Sequence, residues 1–270
     1  EDVVFGIKQH KLAAIVVLAL IVIAIGTGVA LYWRTPKSQA PFESIAILPF
    51  ENRSNAADTE YLSDGLAETL IYRLSQLPNL KVSPRSSVFR YKGKETSPQT
   101  IGKELNVQAL LNGRVVQRGE QLSLNLELID AQTENVIWTD QYDRKSSDLI
   151  SLQNEVARDV SSKLKVKLSA ADQQKFAKSH TNDPEAYRLY LQGRFYLNKR
   201  VGKLYDRAES YLKQAIEKDP NFALGYAGLA EFESQRDRPK AKEYIMRALA
   251  LDDQLSEAHS ALGYQLMLDY

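Results

Sequence analysis

Residues 109–130 read ALLNGRVVQRGEQLSLNLELID, and this stretch decides the fold of the region around it. Leucines at every second position from 122 to 128 alternate with polar residues, which is the period of a strand with one buried face. The residues Arg-Gly-Glu at 118–120 separate two such runs at the length of a hairpin turn. The sequence therefore predicts a β-hairpin with strands from Ala109 to Gln117 and from Gln121 to Ile129.

Further strand and helix patterns lie on both sides of the hairpin. Apolar residues at three- and four-residue spacings predict amphipathic helices, and short apolar runs bounded by turn residues predict strands. The predicted strands are 44–50, 80–84 and 135–142, and the predicted helices are 58–77, 97–105 and 148–168. A β-α-β-α unit followed by a hairpin, a third strand and a closing helix predicts an α/β domain with a mixed sheet over residues 44–170.

Small residues recur at a fixed interval downstream of this domain. Gly193, Gly228 and Gly263 are 35 residues apart, close to the period of about 34 residues of tetratricopeptide repeats. Small residues are needed there because the paired helices approach closely. We predict an all-α tetratricopeptide solenoid over residues 183–270, after a linker at 171–182, and we expect the array to be truncated because a third repeat lacks its second helix.

The concave face of such a solenoid is its usual binding surface. Position within the repeat predicts six partner-binding residues on that face: Tyr190, Arg194, Asn198, Phe222, Leu229 and Phe232. An alternative of equal weight is that the apolar members pack against the adjoining repeat or against the α/β domain.

A long apolar stretch lies near the start of the chain. Residues 12–32, LAAIVVLALIVIAIGTGVALY, carry no charge, and as a helix they would extend about 30 Å, the hydrocarbon thickness of a bilayer. We predict a juxtamembrane segment at 1–11, a transmembrane helix at 12–33 and a linker at 34–43. A cleaved signal peptide is the competing interpretation, but its apolar core is usually only about 7–15 residues long. The predicted localisation is the inner membrane, as a single-pass protein with the residues after 34 extracytoplasmic.

Composition and motifs argue against catalysis by this chain. The absence of cysteine excludes disulfides and Cys-based metal sites, and the three histidines have no metal-ligand spacing. The sequence has no glycine-rich phosphate loop, no nucleophile elbow and no kinase catalytic loop. Asp64 and Glu68 stand four apart, a spacing that more often marks a solvated helix face than an acid/base pair, and Tyr91–Lys94 forms a basic loop. We predict no catalytic residue, no metal and no cofactor, and a net charge of +1 argues against nucleic acid as a partner.

Several blocks of sequence occur in the order found in a bacterial family. The blocks include SIAILPFENRS (44–54), EYLSDGLAETLIYRLSQL (60–77), IGKELNVQALLNGRVVQRG (101–119) and LIDAQTENVIWTDQYDR (128–144). In these blocks the chain resembles the TolB-amino-terminal-like (FlgO-like) domains, and the resemblance covers about half of the chain. It implies interaction rather than catalysis. The whole architecture is similar to the extracytoplasmic part of bacterial receptor-like Ser/Thr protein kinases and of membrane-bound winged-helix regulators.

Together these predictions give a functional hypothesis with two alternatives. The chain is a membrane-anchored, extracytoplasmic sensory module of a bacterial signalling protein, which binds a protein or peptide through the solenoid groove and the α/β domain, with a homodimer as one arrangement. The first alternative is the non-catalytic part of a receptor Ser/Thr protein kinase or of a winged-helix transcriptional regulator, whose effector domain precedes Glu1. The second is an envelope assembly adaptor with no cytoplasmic output. Because the chain opens at Glu1 without a methionine, we expect it to be a fragment.

Overall fold

The structure is a computed structural model that describes residues 26–27, 41–54, 59–166, 168–169, 173, 180–199 and 202–268. The chain divides into two compact units, Glu1–Ala40 and Pro41–Tyr270. The second unit combines an α/β domain, built on a mixed sheet, with a helical region that follows it. The predicted α/β domain with a mixed sheet, followed by a helical region, is therefore confirmed. The predicted domain boundaries stay predictions.

The described strands and helices of the second unit follow in chain order. The strands are β1 (Ser44–Ile47), β2 (Glu51–Asn52), β3 (Lys81–Val82), β4 (Ala109–Arg118), β5 (Gln121–Asp130) and β6 (Val136–Lys145). The helices of the α/β domain are α1 (Glu60–Ser75), α2 (Arg85–Val88), α3 (Pro98–Leu105) and α4 (Leu149–Lys163). Those of the helical region are α5 (Pro184–Lys199), α6 (Gly202–Lys218), α7 (Ala223–Glu233), α8 (Arg238–Leu251) and α9 (Ser256–Leu268).

The sheet is parallel on one side and antiparallel on the other. Its order is β3-β1-β4-β5-β6, and β2 also pairs with β4. Strand β1 runs parallel to both of its neighbours, so that Ile45 lies opposite Val82 on one side and opposite Ala109 on the other. Strands β4, β5 and β6 are antiparallel. The predicted hairpin is confirmed, and Gly119 in its turn has a φ of 59°, a conformation that glycine adopts without strain.

One face of the sheet forms the core of the α/β domain. The leucines of β5 from Leu122 to Leu128 are at most 2% exposed, whereas Ser123 and Asn125 between them point to the partly exposed face. Helices α1 and α4 pack against the buried side. Phe50 fills the space at Gly113, where an added Cβ would lie 2.5 Å from the phenylalanine ring.

The helical region consists of antiparallel helix pairs. Helix α5 packs against α6, and α7 packs against α8. An added Cβ on Gly193 or Gly228 would lie 2.6 or 2.8 Å from the side chain of Leu212, so both glycines allow their helices to approach α6 closely. The corresponding Gly263 of α9 has nothing within 4 Å.

Three local features differ from the predictions. The sequence did not predict β2 and α2, because elements of two and four residues are too short to show a period. The predicted helix at 148–168 ends at Lys163, and the following Lys165 has a φ of 58°, which a continuing α-helix does not permit.

The predicted localisation needs a correction. Among the residues that the structure describes, no helix has both the length and the apolar surface needed to cross a bilayer. The longest of the described helices, α6, has 17 residues and carries lysine, arginine and glutamate side chains, whereas a span needs about 20 mainly apolar residues. This finding overturns the single-pass, inner-membrane localisation. The segment 12–33, on which it rested, lies outside the described residues except for positions 26 and 27.

Candidate partner-binding site between the sheet domain and the helices

The six residues predicted for partner binding fall into two groups in the structure. Arg194 and Asn198 lie on α5 and face α1 of the α/β domain, where both donate hydrogen bonds to Glu68. The other four are buried aromatic or aliphatic side chains with 0–8% exposure: Tyr190, Phe222, Leu229 and Phe232. Their role in binding a partner stays a prediction.

The buried members of this set do not all lie together. The rings of Tyr190 and Phe222 meet edge to face with centroids 5.2 Å apart, which links α5 to the start of α7. Phe232 stacks on Tyr205 of α6 with centroids 5.1 Å apart. Leu229 is fully buried in the helical region. These contacts pack the interior of the helical region, whereas Arg194 and Asn198 carry the polar groups that face α1.

Glu68 of α1 is the centre of the polar contacts. Arg194 donates from Nη2 to Glu68 Oε1 at 2.8 Å, and Asn198 donates from Nδ2 to Oε2 at 3.0 Å. Arg85, next to β3, donates from Nε to the same Oε2 at 3.1 Å. The carboxylate therefore receives hydrogen bonds from both the α/β domain and the helical region.

Arg194 is held between two carboxylates. Besides Glu68, it forms an ion pair with Glu231 of α7, and its side chain is only 19% exposed. Burial opposes the charged form, but the carboxylates of Glu231 and Glu68 outweigh it and raise the pKa of the guanidinium well above its usual value. Arg194 therefore stays charged at neutral pH.

A second cluster lies one and two turns earlier on the same face of α1. Lys92 Nζ lies 2.5 Å from Glu60 Oε1 and 2.7 Å from Asp64 Oδ1. Lys199 of α5 approaches Glu60 Oε2 at 3.9 Å. The three carboxylates of α1 stand at positions 60, 64 and 68, so one acidic stripe, Glu60-Asp64-Glu68, faces cations from both parts of the unit.

The pKa values of two carboxylates in the acidic stripe are shifted in opposite directions. Burial raises the pKa of Asp64 despite the hydrogen bond from Lys92 that acts to lower it. The pKa of Glu60 is lowered, mainly because Lys92 donates a hydrogen bond to its carboxylate. The expectation that Asp64 and Glu68 lie on a solvated face is wrong for Asp64, which is 6% exposed. Its carboxylate instead accepts from Lys92 at 2.7 and 2.8 Å.

Apolar and hydroxyl contacts complete the interface. An added Cβ on Gly65 of α1 would lie 3.0 Å from the Leu191 side chain of α5, so the two helices are in close contact there. The Tyr187 hydroxyl lies 3.1 Å from Thr69 Oγ1 and donates to Gln153 Oε1 of α4 at 2.7 Å. Helix α5 is therefore joined to both helices that cover the sheet.

Sequence reasoning missed Glu68 and Tyr187 as interface residues, and it missed Lys92 as the partner of Glu60 and Asp64 within the α/β domain. The signal for the acidic stripe was present, since carboxylates at every fourth position of a helix share one face. The same signal did not identify Lys92, which lies in the loop that the sequence marked only as basic. In the part of the chain that the structure describes, no group of three or more His, Cys, Asp or Glu side chains is placed to hold a metal ion.

Two comparisons concern the sequence. The family described as HilA/YgeH-like transcriptional regulator, second domain, matches residues 41–159, which run from before β1 into α4. A curated protein of Rhizobium meliloti (strain 1021), which carries the provisional name adenylate cyclase 3, is 34% identical over 196 residues. That match covers 72% of this chain and 33% of the relative. The chain thus spans about a third of the length of the curated relative that it matches.

Solved structures similar to the chain include lipoprotein and TolB-like domains. The lipoprotein GNA1162 from Neisseria meningitidis is 18% identical, with a TM-score of 0.35, and covers 47% of this chain and 99% of its own. TolB from Acinetobacter baumannii is 16% identical, with a TM-score of 0.35 and coverages of 47% and 29%. The C-terminal domain of LpoB from Escherichia coli is 13% identical, with a TM-score of 0.32 and coverages of 40% and 87%.

TolB is thus among the structures to which the chain is similar, and the finer resemblance to the architecture of receptor kinases or winged-helix regulators stays a prediction. The α/β domain is thus similar to the second domain of a family of transcriptional regulators, and most of the chain is similar to one third of a protein named as a cyclase.

Proposed function

We propose that this chain is a non-catalytic, protein-binding module of a larger bacterial signalling protein, in which the helices form a tetratricopeptide solenoid docked on the α/β domain. One observation carries this proposal. Arg194 and Asn198, which repeat position predicts for partner binding, both hydrogen-bond Glu68 of α1. The polar groups of the groove are therefore suited to a helix that presents carboxylates.

The packing of small residues supports the assignment of the helices to tetratricopeptide repeats. Gly193 and Gly228 occupy equivalent repeat positions and both contact Leu212 of α6. The alanines at the repeat positions of the second helices are 0% exposed, namely Ala208, Ala215, Ala241 and Ala248. Such burial is expected where stacked helix pairs share one continuous core.

Helix α1 already lies against the groove, and the proposed binding mode follows from this contact. Helix α1 presents Glu68 to Arg194 and Asn198, so a partner that enters the groove meets α1 in place. We expect this partner to be a protein with an acidic helical segment, which competes with α1 for the same donors. Tyr190 and Phe222 form the adjoining wall, and Leu229 and Phe232 hold its shape from the interior.

The comparisons support attachment of this module to more than one kind of effector. The family match to residues 41–159 favours a transcriptional regulator as the output. The Rhizobium meliloti relative favours a nucleotide cyclase as the second candidate, with this chain as a regulatory part.

Capture of the partner from extracts of the source cells, followed by cross-linking and mass spectrometry, tests the binding proposal. Cross-links should fall on α5 and α7. Arg194→Met keeps the bulk of the side chain but removes its charge, and we expect it to lower capture at least about tenfold, as truncating one partner of a buried ion pair does at interfaces. Lys242→Met, at an exposed position of α8, is the matched control. Equal capture by both variants would contradict binding in the groove.

A direct assay distinguishes a regulatory part from a catalytic one. The 270-residue chain, incubated with ATP and Mg²⁺, should form no cyclic AMP if it is the non-catalytic part that we propose. The Rhizobium meliloti relative serves as the parallel sample. Formation of cyclic AMP by this chain alone would refute the non-catalytic assignment.

A further inference from the structure

A cavity of about 810 Å³ opens on the sheet face opposite the buried leucines of β5. Its floor is formed by the central residues of β4, β5 and β6, namely 112–114, 125–127 and 139–141. Its walls come from Leu48 and Pro49 after β1, from the loop at 91–96, and from Ile101 of α3. The volume lies within the range of about 300–1,000 Å³ that is usual for small-molecule sites.

Polar side chains cover the floor of this cavity in two neighbouring rows. The strand register places Glu127 between Asn112 and Thr139 in one row. Asn125 lies beside Gln141 in the next row. On β5 these residues alternate with the buried leucines, so their side chains point away from the helices α1 and α4. Two strand spacings of about 4.8 Å make the floor about 10 Å wide, so one small ligand can reach both rows.

Four of these polar groups have no protein partner within the described part of the chain. There, no hydrogen bond or ion pair to another residue is made by the side chains of Asn112, Asn125, Glu127 and Thr139. The first three of these residues are half-buried, so the cavity is the side from which a ligand reaches them. Side-chain amides both donate and accept hydrogen bonds, whereas a carboxylate only accepts them. A ligand that satisfies all of these groups must therefore offer donors and acceptors together.

The charges around the cavity are nearly balanced. The charged residues that line it are Lys92, Lys94, Arg114, Glu51, Glu95, Glu127 and Asp140. Lys92 is already paired with Asp64, and Arg114 lies 3.8 Å from Glu51. Lys94 forms no ion pair with any described residue, but an anion that approached it would also face the other three carboxylates of the lining. A ligand without net charge suits this balance best.

We propose that this cavity binds a neutral disaccharide, whose hydroxyl groups form hydrogen bonds with the polar floor and whose C–H groups pack on Leu48 and Pro49. Each sugar hydroxyl both donates and accepts, so it suits the amides of Asn112 and Asn125 as well as the carboxylate of Glu127. A saccharide with equatorial hydroxyls, such as cellobiose, lies flat on a sheet and can meet both rows at once. The site lies on the sheet face away from α1, so it is separate from the groove at Arg194.

Equilibrium dialysis of the full 270-residue chain against radiolabelled cellobiose tests this proposal. We expect a Kd of about 0.1–1 mM, because the desolvation of polar groups offsets much of what their hydrogen bonds contribute. Glucuronate carries a negative charge, and spermidine carries positive charges without hydroxyl groups. Each should displace less than about a tenth of the label at a concentration at which unlabelled cellobiose displaces most of it. No saturable binding of cellobiose, or equal displacement by glucuronate or spermidine, would overturn the proposal.

Variants of β5 locate the site. Glu127→Ala should weaken cellobiose binding at least about tenfold, and Asn125→Ala about fivefold, since hydrogen bonds to charged groups contribute more than those to neutral ones. Ser123→Ala changes the same face of the same strand outside the cavity, so its Kd should equal that of the wild type. The side chains of Glu127 and Asn125 have no protein partner, so both variants should fold, which circular dichroism verifies. Unchanged binding in the two folded variants would overturn the proposal.

The test is independent of the proposed protein-binding function. The dialysis contains no protein partner, so a negative result would leave that function standing. Conversely, Arg194→Met should bind cellobiose as the wild type does, because Arg194 does not line this cavity.

Discussion

Two arginine–glutamate pairs of this protein have similar geometry and very different surroundings. Arg194 and Glu68 meet at 2.8 Å between α5 and α1, with side chains that are 19% and 21% exposed. Arg53 and Glu51 meet at 2.7 Å at the rim of the sheet, with side chains that are 64% and 54% exposed. Distance therefore does not separate them, but burial does. Removing one partner of the interface pair leaves the other charge without that partner in a place with little access to water. Removing one partner of the rim pair leaves a charge that solvent already reaches.

The largest expected effect comes from deleting the interface carboxylate. Glu68→Ala leaves Arg85, Arg194 and Asn198 without their shared acceptor, and we expect the free energy of unfolding to fall by about 2–3 kcal/mol. Glu51→Ala at the rim should change it by less than about 0.5 kcal/mol. Urea unfolding of both variants gives the comparison. Equal losses would show that burial does not set the strength of these pairs.

A double-mutant cycle measures each pair without the cost of the single deletions. The coupling free energy between Arg194 and Glu68 should be about 1–2 kcal/mol, and that between Arg53 and Glu51 about 0–0.5 kcal/mol. Glu231 also contacts Arg194, so the cycle is repeated in the Glu231→Gln background. A coupling at the interface no larger than at the rim would remove the basis for treating α1 as an occupant of the groove.

The pH dependence should differ in sign between two members of the acidic stripe. The pKa of Asp64 is raised in the folded state, so its ionisation costs stability as pH rises from its usual value of 3.8. The pKa of Glu60 is lowered, so its contribution is complete above its usual value of 4.5 and is lost as pH falls through the folded pKa.

Urea unfolding between pH 3 and 7 tests this difference. The stability difference between wild type and Asp64→Asn should shrink as pH rises, and that between wild type and Glu60→Gln should grow. Glu95→Gln, at an exposed position, is the control and should change little. Two stability differences that change in the same direction with pH would refute the opposite pKa shifts of Asp64 and Glu60.

Salt should produce the smallest effect. Between about 0.05 and 0.5 M NaCl, the weak coupling of Arg53 to Glu51 should decrease, because added salt screens the attraction between solvent-exposed charges more than that between partly buried ones. The Arg194–Glu68 coupling should keep more than about half of its value, since few ions can enter the contact. The same double-mutant cycles at the two salt concentrations measure both quantities.

Local patterns predicted the fold well where one period extends over many residues. The alternation from Leu122 to Leu128 specified a strand with one buried face, because a one-residue slip of the register would move all four leucines to the other face. Strand β2 escaped prediction because two residues carry no period. Its pairing with β4, in which Glu51 lies opposite Arg114, is a tertiary contact that local propensity does not encode.

The site was predictable in part for the same reason. Repeat position predicted Arg194 and Asn198 for partner binding, which stays a prediction, and the structure shows that both donate hydrogen bonds to Glu68 of α1. Their acceptor, Glu68, lies 126 residues away from Arg194 in the chain, and no local pattern connects two positions so far apart. The contact could therefore be identified only from the packing of α5 against α1. The sequence could single out each residue by itself but could not pair them.

The placement of β1 between β3 and β4 has a consequence for the order of folding. The turn at Gly119 closes the β4–β5 hairpin between adjacent segments, a step that takes about 1–10 μs in isolated hairpins. Strand β1 precedes the other described strands in the chain but finds β4 only across a separation of about 64 residues, as between Ser44 and Gln108. Closing so long a loop is entropically costly, so we expect amides of β1 to gain protection in pulsed hydrogen exchange after those of the hairpin. The earliest of the described strands thus joins the sheet after the hairpin has formed, and β3, which pairs only with β1, joins no earlier.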